Sequence, residues 1–168
     1  EIDPKIKLKL NQVNFKLNPS NFEFEIFTLD PHLLVNEKKV DLEIIKSDLN
    51  ILDYLNNKNP ISEISIISKE SNIDQFTDFI NEYDFNLARN LIFKQIKQGK
   101  VKIISKINFN ENNPQNIKYN INGYVKDAEI KLLNQSKIEN IKFNFFVDRD
   151  SINLNKIELV FDLSLIHI

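Results

Sequence analysis

Hydrophobic and polar residues alternate with a period of two along most of this chain, the pattern of strands with one buried face. Ile6, Leu8 and Leu10 share one parity and Val13, Phe15 and Leu17 the other, so a break or bulge is expected near Asn11-Gln12. Asn18-Pro19-Ser20 reads as a turn, after which Phe22, Phe24 and Ile26 resume a strand. Leu33 to Val35 and the set Val40, Leu42 and Ile44 flank a polar stretch, Asn36 to Lys39, as in a hairpin. Ile64 and Ile66 lie on one side of a further strand, with Ile61 and Ile67 nearer the other. From Lys100 onward the pattern is β throughout. Val101, Ile103, Ile107 and Phe109 form one face, and Ile117, Tyr119, Ile121 and Val125 return with Gly123 on the same parity. Ala128, Ile130 and Leu132 follow, then Ile141, Phe143, Phe145 and Val147, and finally Ile152, Leu154, Ile157, Leu159 and Phe161. Short polar turns between consecutive strands predict an antiparallel meander.

Two segments depart from this period. Ser47-Asp48 looks like a helix N-cap with an early acidic residue. Leu49, Leu52, Tyr54 and Leu55 would give a short apolar face, and Asn56 to Pro60 would end a helix near 47–58. Further on, Ile73, Phe76, Ile80, Tyr83 and Leu87 are spaced three and four apart, and Leu91, Ile92 and Ile96 extend them toward Gly99 as a C′ residue. That spacing predicts a longer helical segment near 73–98. The expected fold class is α+β, mainly β: a long curved antiparallel sheet with these two helical pieces.

Composition narrows the chemistry. The 168 residues carry 22 basic against 24 acidic side chains, a formal charge of −2, which argues against binding nucleic acid by phosphate neutralisation. The absence of Cys removes disulfides, thiolate metal sites and cysteine nucleophiles. Two glycines, Gly99 and Gly123, are too few and too far apart for a phosphate-binding loop. Two histidines, His32 and His167, do not make a metal cluster or a Ser-His-Asp triad. The 26 Ile, 25 Asn and 20 Lys have A/T-rich codons, so this bias reports base composition rather than function. The reading is therefore a protein that is not an enzyme, with no cofactor and no metal.

The remaining polar constellations have plain structural readings. Asp148 with Asp150 sits at a turn, and Asp41 with Glu43 alternates with Val40, Leu42 and Ile44, so both carboxylate pairs read as solvated rather than convergent in a cleft. Lys5, Lys7 and Lys9 stripe the side opposite Ile6, Leu8 and Leu10 and read as edge protection, with a lipid-headgroup contact as the other reading. His32 after Pro31 reads as a loop residue, and Asn134-Gln135-Ser136 as a chance sequon. The chain starts at Glu1 and holds no Met, so a fragment of a longer protein is expected. Leu163 to Ile168 is similar to the translation of a transposon-end sequencing adapter. The domain is accordingly expected over 1–162, with 163–168 a scar, an apolar strand end being the other reading.

The apolar stripe is the feature left to carry function. Phe15, Phe22, Phe24, Phe109, Phe143, Phe145 and Phe161 all fall on alternating positions, and two helical segments are few to cover so many strands. A sheet with one apolar face and little cover must close, pair with another sheet, or leave a groove. An apolar groove suits acyl chains, since each buried CH₂ contributes about 0.8 kcal/mol.

The order of elements resembles the AsmA-like family of bacterial envelope proteins. The residues that carry the resemblance are Val40 to Ser47, Leu49 to Leu55 and Pro60 to Ile66 as a strand–helix–strand unit, Ile121 to Ile130 as a recurrent step between strands, and Ile138 to Phe143 as a further strand. The similarity covers most of Val40–Phe161 and lies closest to the large members of the YhdP and TamB type. The resemblance implies a periplasmic segment of an inner-membrane-anchored protein whose β-groove carries phospholipid between inner and outer membranes, its partners being acyl chains and the two membranes. The family has no catalytic residue to carry over. Groove lining is expected from the inward parity of the later strands: Val101, Ile103, Ile107, Phe109, Ile117, Tyr119, Ile121, Val125, Ile141, Phe143, Phe145 and Val147. The alternatives are an assembly factor for outer-membrane proteins that uses sheet edges, and a compact β-sandwich that binds a small ligand.

Overall fold

Isoleucine and aromatic side chains at every second position suit a pleated surface, and Asn-, Asp- and Pro-bearing stretches turn the chain back. The computed structural model describes residues 6–20, 22–35, 38–76, 96–110, 117–131, 137–161 and 164–167. Among these residues twelve strands are formed: β1 (Ile6–Lys9), β2 (Gln12–Asn18), β3 (Glu23–Leu29), β4 (His32–Val35), β5 (Lys38–Asn50), β6 (Ile61–Ser68), β7 (Ser71–Asn72), β8 (Ile96–Phe109), β9 (Ile117–Lys131), β10 (Lys137–Asp148), β11 (Ile152–Phe161) and β12 (Ser164–His167). They make one open antiparallel sheet in the order β1-β4-β5-β6-β8-β9-β10-β11-β12, with β3 on β5, β2 on β3 and β7 on β8. From β8 to β12 it is the expected meander.

A line of irregularities crosses this sheet. β1 and β2 are one run broken at Leu10-Asn11, and β3 and β4 are one run broken at Asp30-Pro31. The two breaks are tied together by Asn11, whose Nδ2 donates to Asp30 O at 2.7 Å. The β5 register slips between Leu42 and Ile44, and Lys69-Glu70 separates β6 from β7. In the next four strands Gly99, Asp127, Asn140 and Lys156 have φ of 133°, 54°, 52° and 51°, and the pairing shifts register around each. Asn and Asp tolerate this left-handed region, whereas Lys156 is a less usual occupant.

These residues stand close to one another across the strands. Gly99 falls between positions paired with Glu129 and Lys126, so it stands opposite Asp127 and Ala128, and a Cβ on Gly99 would lie 3.0 Å from Ala128. Each bulge inserts an extra residue and bends its strand. Aligned from edge to edge, the bulges bend the sheet along one seam. They also account for parity switches within single strands: Ile96 and Val101, Val125 and Ala128, and Ile138 and Ile141 belong to one apolar cluster at odd spacings.

The helical expectations change. The short helix, α1 (Ile51–Leu55), is five residues long and is capped by Asn50, whose Oδ1 accepts from Leu52 N at 2.9 Å and Asp53 N at 3.2 Å. Ser47 and Asp48 are not its cap. They sit within β5, where Ser47 pairs with Ile26 on one side and Ile64 on the other. The pull of two flanking strands outweighs a local capping preference. The apolar face expected on α1 is not buried, and Leu52, Tyr54 and Leu55 are exposed. The longer helical segment near 73–98 is not supported. Asp74–Phe76 make one helical turn, Ile96–Gln98 open β8 because Ile96 pairs with Ile130, and 77–95 lie outside the described residues. Gly99 lies within β8 opposite the Asp127-Ala128 bulge of β9 and is not a helix C′ residue. Ser164–His167 pairs with Glu158–Phe161 as the edge strand β12.

Candidate functional site

Directly paired residues of an antiparallel sheet point to the same face, so the register assembles the apolar face row by row. One row runs Ile152–Val147–Ile121–Ser105–Ile66–Ile45–Thr28–Val13 across eight strands. The next, farther from the seam, is Tyr119–Ile107–Ile64–Ser47–Ile26–Phe15. On the seam side lie Leu154–Phe145–Gly123–Ile103 and Phe143–Val125–Val101–Ser71. All twelve residues expected to line a groove fall on this face.

Their exposure divides them. Val101, Val125, Ile141, Phe143, Phe145 and Val147 are buried at 9% or less and join Val40, Leu42, Ile73 and Phe76 in one cluster. They present almost no surface to a ligand. Ile103, Ile107, Phe109, Tyr119 and Ile121 are half-buried, and Ile117 is exposed. Gly123 marks the tight end: a Cβ there would lie 2.1 Å from Lys102 O and 2.8 Å from Phe145 Cζ, so Phe145 lies across it. The absence of a side chain lets the ring settle on the backbone.

Polar groups interrupt the face at Ser68, Ser47, Thr28, Ser105 and Ser71. Ser68 Oγ accepts from Ile103 N at 2.8 Å, and Ser47 Oγ donates to Glu63 O at 3.1 Å. Thr28 is buried and its Oγ1 has no hydrogen-bond partner. No sequence signal marked Thr28, since a threonine in a strand is ordinary and its burial depends on Ile45 and Val13 meeting it from both sides.

The opposite face is charged and paired. Lys102 Nζ lies 2.6 Å from Glu43, Lys106 3.2 Å from Glu63, and Lys46 3.0 Å from Glu25. At the seam, Glu70 takes Lys126 at 2.7 Å and the Tyr124 hydroxyl at 2.8 Å. The hydrogen bonds from Lys126 and then Tyr124 hold the Glu70 carboxyl below its usual range, and Glu70 in turn raises both partners. A second apolar row, Phe146–Asn122–Ile104–Ile67–Ile44–Leu29, crosses this charged face.

The lesser candidates resolve individually. His32 is not in a loop but is the first residue of β4, with Nδ1 2.8 Å from Asp41 Oδ1. Lys39 also meets Asp41 at 2.9 Å, and its hydrogen bond is the main cause that lowers the Asp41 pKa. Glu43 pairs elsewhere, so Asp41 and Glu43 do not converge. Asp148 closes its turn by accepting from Asp150 N and Ser151 N. Lys7 and Lys9 lie on edge strand β1, whereas Lys5 and Asn134-Gln135-Ser136 lie outside the described residues. Among the described residues no three His, Cys, Asp or Glu side chains gather as metal ligands would, and no helix is long and apolar enough to cross a membrane.

Among the described residues, two shallow cavities have polar rims. One of about 350 Å³ lies at the seam among Asn72, Asp74, Gln98, Gly99, Lys100 and Asp127, and one of about 250 Å³ lies beyond the end of β2. Comparison with protein-family models, with curated proteins and with solved structures finds no match to this chain. Fold and face together define a mainly-β protein with one bent antiparallel sheet, a paired charged side, and an apolar side that is sealed near the seam and accessible away from it.

Proposed function

We propose that this chain is a lipid-carrying segment of an AsmA-like envelope protein, working in the periplasm and held to the inner membrane by a segment outside this chain. In this reading phospholipid acyl chains lie along the apolar face between the inner and outer membranes. The observation that supports it is the accessible half of that face. Ile107, Phe109, Ile117 and Tyr119 continue the strands of the core but leave it, while the other face neutralises its charges in cross-strand pairs. An accessible apolar surface of this continuity marks a binding site, and each CH₂ laid on it contributes up to about 0.8 kcal/mol. The residues that would touch lipid are therefore Ile103, Ile107, Phe109, Ile117, Tyr119 and Ile121. The buried six would support them from beneath the seam.

A photoreactive side chain placed singly at Ile107, Tyr119 or Phe145 tests this, with the chain expressed in an envelope-bearing bacterium and its adducts weighed by mass spectrometry. Phospholipid adducts are expected at the first two positions and not at Phe145. If Ile107 and Tyr119 yield no lipid adduct, and native mass spectrometry finds no phospholipid on the purified chain, the lipid reading is wrong.

A further inference from the structure

The lipid reading leaves the β2 edge unused. Among the described residues β2 pairs with β3 alone. Val13, Phe15 and Leu17 are paired with Thr28, Ile26 and Phe24 and so belong to the apolar face, yet they are 42%, 66% and 51% exposed. A seven-residue edge with open backbone groups and exposed apolar side chains is a template for another strand. The adjoining edge strand β1 carries Lys7 and Lys9, the residues that blunt such an edge. β2 has one charge, Lys16, on the other face and 4.0 Å from Glu25.

We propose that β2 is the interface of a symmetric dimer, in which β2 of a second copy of this chain pairs antiparallel with it about a two-fold axis at Phe15. The strand sets its own register. Asn11 breaks it on one side and the turn at Pro19-Ser20 on the other, so only a pairing centred on Phe15 uses all of Gln12–Asn18. In that register Phe15 faces Phe15 of the second copy, Val13 faces Leu17, and Lys16 faces Asn14. Every apolar residue meets an apolar one, which favours the pairing. A slip of one residue sets each apolar side chain against a polar one. Moving the axis one residue on, to Lys16, sets that lysine against its own copy, which is repulsive. The two-fold is perpendicular to the sheet, so the apolar faces of both copies become one continuous face. The interface stands on the β2 edge alone and needs no lipid.

The chain contains no Cys, so a single substitution supplies its only thiol. Cross-strand neighbours have Cα atoms about 4.5–5.5 Å apart, within disulfide range. Phe15→Cys alone is expected to oxidise to a dimer of twice 19.8 kDa. Val13→Cys alone and Leu17→Cys alone are expected to form no disulfide under the same oxidant, whereas a mixture of the two cross-links. Light scattering of the unmodified chain should show the dimer, and Phe15→Lys should weaken it by about tenfold or more by placing like charges opposite each other, with an unchanged circular dichroism spectrum. Equal cross-linking by all three single thiols overturns the register. A chain that stays monomeric at every concentration, as it would if the edge served a strand of a different protein, overturns the dimer.

Discussion

The two ends of the apolar face use the same code and come to opposite ends. Near the seam, Phe143, Phe145 and Val147 are buried with Val101 and Val125. Away from it, Ile107, Tyr119, Ile26 and Phe15 stand on equivalent parities of neighbouring strands, half-buried or exposed. Both ends alternate cleanly, and both are rich in Ile and Phe. The seam end also has bulges in each long strand, Gly123 beneath a phenyl ring, and Ile73 and Phe76 in the same cluster. Alternation therefore says that a side chain leaves one face of a sheet. It does not say whether that face becomes core or remains a surface. Contacts beyond the pairing make the difference: Ile73 and Phe76 join the seam-end cluster, and the Phe145 ring lies against Gly123.

The comparison is tested most strongly by truncating a phenylalanine at each end. Phe145→Ala empties a buried ring site and should cost about 3–5 kcal/mol in chemical denaturation, whereas Phe15→Ala, compared at a concentration low enough to keep the chain monomeric, should stay within about 0.5 kcal/mol. Equal costs would show that the two ends are not distinct. Gly123→Ala comes next: its Cβ would strike the Lys102 carbonyl, and a loss of about 3 kcal/mol is expected because backbone must move. Thr28→Val should go the other way. It removes a buried hydroxyl with no partner at nearly constant volume, and a gain of about 1 kcal/mol is expected. A loss of stability would mean that the hydroxyl is satisfied in solution.

The smallest effect concerns acid. Glu70 ties the β6–β7 break to β9 and its folded pKa lies below the ordinary 4.5, so its stabilising contribution is fully present above that value and is lost as pH falls through the folded one. Asp41, lowered from 3.8, behaves alike. Lys102 and Lys126 are raised above 10.5, so their contributions hold below that value and fade as pH rises through the folded one. The midpoint of thermal unfolding of Glu70→Gln should fall less steeply than that of the unaltered chain as pH drops below 4.5. Parallel curves would remove Glu70 from the seam's acid response.

Much of the sheet was legible residue by residue. The parity change between Leu10 and Val13 marks a real break, and Asn18-Pro19-Ser20 a real turn. The odd spacings of Val125 to Ala128 and of Leu154 to Ile157 are visible in the chain, but each reads alone as noise. Only their alignment with Gly99 and Asn140 turns them into a seam. Ser47-Asp48 misled because a capping signal is local, whereas β3 and β6 claim those residues from both sides. The helical spacing after Ile73 misled at its far end, where Ile96 answers to Ile130 across a strand pair. His32 read as a loop residue because its partner Asp41 is nine positions away and becomes adjacent only through the β4–β5 hairpin.

By itself the sequence determined that this is a strand protein, which side chains share a face, and where the chain turns, since each of these follows from neighbours within a few residues. The tertiary structure alone decided which part of that face is core, which carboxylate meets which lysine, and that among the described residues β2 pairs on one side only. These outcomes depend on contacts between strands far apart in sequence, formed once register and bulges are set together, and no local pattern encodes a sum over distant partners.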